Sequence, residues 1–156
     1  MSSSRPSETP DERADRQLGE LLQELRVAQA GVQILFAFLL VLPFQGGFAG
    51  LTTTLKGVYA FSLLSALVAA ALMIAPVALH RMLFGHHMKE EVIRSAHLMA
   101  STGLLFLAAS MTGAVFLALD VSIGRPFSFV AGAGAALLFA GLWLVWPTRL
   151  RSEGPA

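Results

Sequence analysis

The sequence predicts an all-α protein, a four-helix transmembrane bundle with an amphipathic N-terminal extension and both termini cytoplasmic. Three observations carry this. The chain of 156 residues is 55% hydrophobic with a mean hydropathy of +0.67, beyond the roughly 45 to 50% apolar content of ordinary soluble domains. Four apolar runs, Leu25–Phe44, Gly57–Leu79, Leu98–Leu119 and Phe127–Trp146, each approach the ~20 residues that a helix needs to cross the hydrocarbon core of a bilayer. The basic residues fall in alternate segments. Arg5, Arg13, Arg16 and Arg26 lie near or before the first run, Arg81, Lys89 and Arg94 between the second and third, and Arg149 and Arg151 after the fourth, leaving only Lys56 and Arg125 for the other two connections. Positive charge in short flanking loops stays on the cytoplasmic side. The expected location is therefore a cell membrane, crossed several times, with the termini and the middle loop inside.

Within that frame each element has its own signal. Residues 1–14, rich in Ser, Pro, Asp and Glu, read as a disordered polar tail. From Asp15 the spacing of Leu18, Leu21, Leu22 and Leu25, with Arg16, Gln17, Glu20, Gln23 and Glu24 opposite, is that of an amphipathic helix. No proline interrupts it before Pro43, so one helix from about Arg16 to Leu42 is expected, ~40 Å long against a ~30 Å core. Gln45 to Lys56 forms a short outer loop whose Thr52–Thr54 run supplies an N-cap for the second helix. Pro76 removes a hydrogen bond to Leu72 near the end of that helix and predicts a kink. A middle loop from His80 to about His87 leads into a charged first turn, Lys89 to Arg94; Pro126 suits the first turn of the fourth helix and Pro147 its end. Residues 15–150 thus form one transmembrane domain and 151–156 a short cytoplasmic tail. Trp143 and Trp146 fall at the expected inner end, and Phe44, Phe48 and Tyr59 near the outer boundary, as interfacial aromatic belts require. The N-terminal polar segment lacks the basic-then-apolar order of a secretory signal, and the first span is expected to remain in the mature protein.

Few residues suggest chemistry. The absence of cysteine removes disulfides and thiolate metal sites. Ser62, Ser65, Ser101 and Ser110 have no Gly-x-Ser-x-Gly context, and cation-coupled antiport relies on carboxylates within the membrane, whereas Asp120 lies at the outer boundary, where it is expected to pair with Arg125. No catalytic residue, metal site, cofactor or nucleic-acid partner is expected. Paired small residues, Ala66 with Ala70, Ala109 with Gly113 and Gly132 with Ala136, point to close helix packing, and Gly132, Gly134 and Gly141 single out the fourth helix for it. The deepest strongly polar residue is Gln33. At about 100° per residue it shares with Arg26 and Gln29 a seam about 60° wide, expected to point into the bundle and to bond Ser101, Thr102 or a neighbouring carbonyl. Glu24, His80, Arg81 and His97 are assigned to the cytoplasmic interface, where His80 and His97 could approach each other.

The stretch QLGELLQELRVAQAGVQILFAFLLVLPF, Gln17 to Phe44, together with APVALHRMLFG, Ala75 to Gly85, resembles an uncharacterised family of short four-span membrane proteins from actinobacteria. That family is a domain of unknown function, some of whose members carry a sodium:proton antiporter label. The resemblance extends over roughly residues 15 to 147 and implies that Glu24, Arg26, Gln29, Gln33, Pro76, His80 and Arg81 match a recurring family pattern, without implying a catalytic set. Two functions are therefore expected in order: a protein acting through helix contacts, as a homo-oligomer or with another membrane protein, and a small cation/proton transporter with a path along Gln29, Gln33 and His80.

Overall fold

The computed structural model describes residues 9–83 and 89–152. Among these the protein is all helical: α1 (Pro10–Val41), two short 3-10 turns (Leu42–Phe44 and Phe48–Gly50), α2 (Thr53–Leu83), α3 (Lys89–Ser122), α4 (Arg125–Ala140), a π-helical segment (Gly141–Val145) and α5 (Trp146–Ser152). Four helices are long and apolar enough to cross a membrane, over Gly19–Phe44, Thr53–Leu79, Arg94–Ser122 and Arg125–Leu150, and each contains one of the four apolar runs. The protein is thus a multi-pass membrane protein by the length and composition of its helices.

α1 begins earlier than its apolar periodicity announces. Thr9 caps it: the Thr9 hydroxyl accepts from the Glu12 backbone N–H at 3.3 Å, and the Glu12 carboxylate accepts from the Thr9 N–H at 2.9 Å. This reciprocal box, followed by Pro10 at the first helical position, satisfies N–H groups that a helix start leaves unpaired. Residues 10–14, read from composition as part of a disordered tail, therefore belong to the helix; residues 1–8 lie outside the described residues. The resulting 32-residue helix is ~48 Å long at 1.5 Å per residue.

The Thr52 cap on α2 is as expected, its hydroxyl accepting from the Leu55 N–H at 3.3 Å. α2 runs through Pro76, which is fully buried, without a break in helical assignment. Pro126 stands in the first turn of α4, preceded by Gly124 at φ 118°, a left-handed conformation that glycine adopts without steric cost and that turns the chain sharply between α3 and α4. Pro147 does not end the fourth span. The backbone widens into the π segment, where the Trp146 N–H donates to Gly141 O, and the helix resumes as α5 with Pro147 in its first turn. A proline there needs no N–H partner, so the wide turn absorbs what would otherwise have been a helix stop.

Successive helices are antiparallel, as cross-helix neighbours show: Ser62 with Ser110 and Gly113, Ala69 and Met73 with Gly103, Phe116 with Phe129 and Gly132. The starts of α1 and α3 and the ends of α2 and α4 therefore share one end of the bundle, called the basic end below. α2 and α3 form the most extensive pair; α1 packs on both, α4 packs on α3, and among the described residues neither the α1 nor the α2 backbone comes close to that of α4. The arrangement is open on that side. Two apolar clusters fill the inside. Leu21, Leu25, Val32, Ala69, Met73, Ala96, Ala100 and Leu107 occupy the basic end, and Leu39, Leu55, Tyr59, Ala66 and Leu117 the other. Tyr59 belongs to this second cluster, edge-on to Phe48 at 4.9 Å between ring centroids, and so is core and not an interfacial belt residue.

Candidate functional site

The orientation of α1 decides where its polar residues go. Leu21, Leu25, Val32 and Leu39 are buried and lie along one line of the helix. That line is rotated by about 50°, at 100° per residue, from the Leu18/Leu22/Leu25 stripe that periodicity suggests. The rotation carries Gln33 out of the bundle. Gln33 and Arg26 are exposed on the flank of α1, and Gln29 is half-buried at the edge of the contact with its neighbours. The expectation that all three point inward is corrected accordingly: they share one stripe, but the stripe borders the outer surface. Gln29 and Gln33 make no hydrogen bond to Ser101, Thr102 or any other described residue. Gln33 sits within ~3 Å, along the axis, of the middle of the Gly19–Phe44 span.

The remaining interfacial candidates are scattered. Glu24 on α1 and His97 on α3 are exposed. His80 and Arg81 fall within α2, but their side chains lie outside the described ones, as do residues 86 and 87. No grouping of His80 with His97 can be drawn. Among the described residues no cluster of three His, Asp or Glu is placed to hold a metal ion. A transport path along Gln29, Gln33 and His80 would not run through the interior of the single chain, because Gln33 faces outward.

The buried serines are structural contacts between helices. Ser110 Oγ donates to the Ser62 carbonyl at 2.8 Å, across the α2–α3 interface, and Ser62 Oγ donates to Val58 O at 2.8 Å within α2. Gly113 faces Ser62 so closely that a Cβ there would overlap Ser62 Oγ. Among the described glycines this is the tightest contact, and not one in helix four: of the three glycines that single out α4 in the sequence, only Gly132 meets a neighbour, the Phe116 ring of α3, while Gly134 and Gly141 face open space. Gly103 adds a third close point, where an added Cβ would stand 3.2 Å from Met73 Cγ.

At the opposite end from the basic cluster, Asp120 ties α3 to α4. Arg125 Nε lies 3.2 Å from Asp120 Oδ1, and the fully buried Ser128 hydroxyl lies 3.1 Å from the same oxygen and 2.7 Å from Arg125 O. One hydroxyl proton serves both acceptors. The pairing was expected from the sequence, but its setting differs from a simple surface pair: the Asp120 side chain is only 9% exposed, against 53% for Arg125. The carboxylate is covered by the start of α4 and acts as a clamp on the α3–α4 turn.

The family model "Family of unknown function (DUF6328)" matches residues 7–147, a stretch that takes in the first three spans, nearly all of the fourth and the Asp120 clamp. The chain belongs to this family. No curated protein and no solved structure matches it. The membership agrees with the resemblance in its coarse part, a family of unknown function matched over a chain with four apolar helices, and it brings no organism, antiporter label or assigned activity.

One further feature of this DUF6328 member follows from its open helix order. Because the α2 and α4 backbones stay apart, an apolar groove of about 720 Å³ runs between them over α3. Its floor is Ala108, Ala109 and Thr112 of α3; Phe61 of α2, Phe129 of α4 and Trp143 of the π-helical segment stand along its sides. None of the residues lining it is charged or titratable, so it offers shape and apolar surface but no group able to do acid–base or nucleophilic chemistry.

Proposed function

We propose that this protein is a non-enzymatic integral membrane protein that works through helix contacts in the bilayer, as a small homo-oligomer or as the accessory subunit of another membrane protein. The observation that carries this reading is Gln33, an exposed primary amide near mid-span with no hydrogen-bond partner among the described residues. Polar side chains at that depth are costly when they face lipid and are usually satisfied by neighbouring helices. An amide left on the outer surface of a bundle is best explained by a helix outside that bundle. The open order of the helices, with α4 attached to α3 alone, supports the same reading, because it leaves apolar faces of α1, α2 and α4 available. The basic end is assigned to the cytoplasmic side of the plasma membrane on the strength of the alternate charge pattern. Glu24, Arg26 and His97 then lie on the cytoplasmic face, together with His80 and Arg81.

The test is assembly measured beside transport. The purified chain in lipid nanodiscs should run as more than one subunit, or bring a defined membrane partner with it, and Gln33→Leu and Arg26→Ala should each reduce that association. Proton and sodium flux in sealed proteoliposomes should stay at the empty-vesicle level for all three proteins. Unchanged assembly in both variants would defeat the proposal, and sodium-dependent proton movement lost in Gln33→Leu would replace it with transport.

A further inference from the structure

The proposed assembly can be given a face and a partner. Along α1, Arg26, Ala30, Gln33, Ala37 and Leu40 follow one another at alternating steps of four and three residues, and every one of them is exposed. That alternation is the seam of two helices wound about each other with a left-handed twist. Alanine precedes and follows Gln33 on this seam, which lets a second backbone come close enough for the amide to reach across, since helix axes in lipid approach most closely where side chains are small. The amide itself is the deciding chemistry. A glutamine carries a carbonyl acceptor and two N–H donors on one planar group, so two glutamines related by a two-fold axis can exchange N–H···O bonds and leave neither carbonyl bare.

Depth selects the partner. Two copies inserted by the same charge rule place α1 parallel to α1, and a two-fold axis along the membrane normal then sets Gln33 opposite Gln33 at the same depth. A foreign helix would have to bring its own polar group to that depth and that face. Arg26, seven residues and ~10 Å toward the basic end, is close enough to the interface for its guanidinium to extend to water and lipid phosphate, so the like charges of two copies need not meet in the hydrocarbon. Taking the assembly reading above as its basis, we infer that the protein forms a parallel two-fold dimer through the Ala30/Gln33/Ala37 face of α1, held in register by a Gln33–Gln33 amide pair between two copies of this chain.

The absence of cysteine from the sequence makes the test clean. Single cysteines at Ala37 and at Phe38 would be introduced into the full chain, reconstituted in lipid vesicles and exposed to an oxidant. Ala37→Cys should give a disulfide-linked dimer, and Phe38→Cys, also exposed but about 100° round the helix, should not. In parallel, Gln33→Leu should dimerise about tenfold more weakly than the native chain, from the loss of two interhelical bonds, while Gln33→Asn, which keeps the amide, should recover part of that loss. The leucine variant presents an apolar side chain to lipid, so it does not threaten the fold. Oligomers that persist in Gln33→Leu and do not cross-link at Ala37 would overturn this interface and leave assembly standing on another face. A strictly monomeric chain would overturn the dimer, and one that also brings no membrane partner would overturn the assembly reading with it; capture of a different membrane protein by the Ala37 cysteine would assign the face to that partner and overturn the dimer.

Discussion

Replacing Gly113 by alanine probes a close approach of α2 and α3. An added Cβ would overlap Ser62 Oγ and stand 3.3 Å from Ser62 Cβ and 3.8 Å from Val58 Cγ1. Ser62 is fully buried and its hydroxyl is engaged with Val58 O. To make room, either that hydroxyl leaves its acceptor or α2 and α3 move apart along the most extensive interface of the protein. Overpacking of this kind costs about 1–3 kcal/mol, offset by up to ~1 kcal/mol because alanine holds a helix better than glycine. The net expectation for Gly113→Ala is a loss of about 1–2 kcal/mol. Ser62→Ala removes the obstructing atom while the Ser62 carbonyl still accepts from Ser110, so alone it should cost about 0.5 kcal/mol. The double variant should then be as stable as Ser62→Ala or better, a coupling of at least ~1 kcal/mol in favour of the pair. Reversible unfolding by SDS titration in mixed micelles measures all three. If Gly113→Ala matches the native chain, or if the two losses simply add, the close contact between these helices is not where it has been placed.

Other perturbations follow from the same contacts. Asp120→Ala should destabilise the α3–α4 turn by about 0.5–1.5 kcal/mol, since it removes the acceptor shared by Ser128 Oγ and Arg125 Nε while Ser128 keeps its bond to Arg125 O; Asp120→Asn should cost less, and unchanged unfolding in both would remove the clamp. Thr9→Ala should cost about 1 kcal/mol of local helix stability, seen as faster amide hydrogen exchange confined to the first turns of α1; exchange unaltered there would mean that the capping box is not formed in solution. Single cysteines at Gly46 and Glu20 should be labelled by an impermeant reagent from opposite faces of the membrane, Gly46 from outside, and the reverse pattern would invert the proposed orientation.

Which parts of this fold are visible in the sequence follows from the range over which each signal acts. The four spans are legible because hydrophobic length is a requirement of the solvent and does not depend on partners. The Thr52 cap, Pro126 and the Asp120–Arg125 pair are equally local, each joining residues within a few positions. The capping box at Thr9 and Glu12 was just as local, and was obscured only because the surrounding composition is that of a disordered tail. The face of α1 is another matter. Periodicity places Arg26, Gln29 and Gln33 on a common stripe, but the direction in which the stripe points is set by how α1 seats on α2 and α3 through Val32 and Leu39. A rotation of about 50°, at 100° per residue, is enough to turn an interior seam into a surface one. Pro147 fails as a helix stop for a similar reason, because a π turn one step earlier changes which carbonyl each N–H meets. Glycine content alone marked α4 as the close-packed helix, whereas the decisive contact is Gly113 against Ser62, a pairing between residues far apart in the chain.

The central claim, that this member of the DUF6328 family acts by associating within the bilayer, is met most directly by counting subunits. The full chain, labelled once through a cysteine at Gly46 and diluted into lipid vesicles, would be read by single-molecule photobleaching over a range of protein-to-lipid ratios. The account predicts two-step bleaching whose fraction rises with density by mass action and falls for Gln33→Leu at every ratio. One-step bleaching at all densities, in vesicles of the native lipid and for a chain that brings no membrane partner with it, would contradict it.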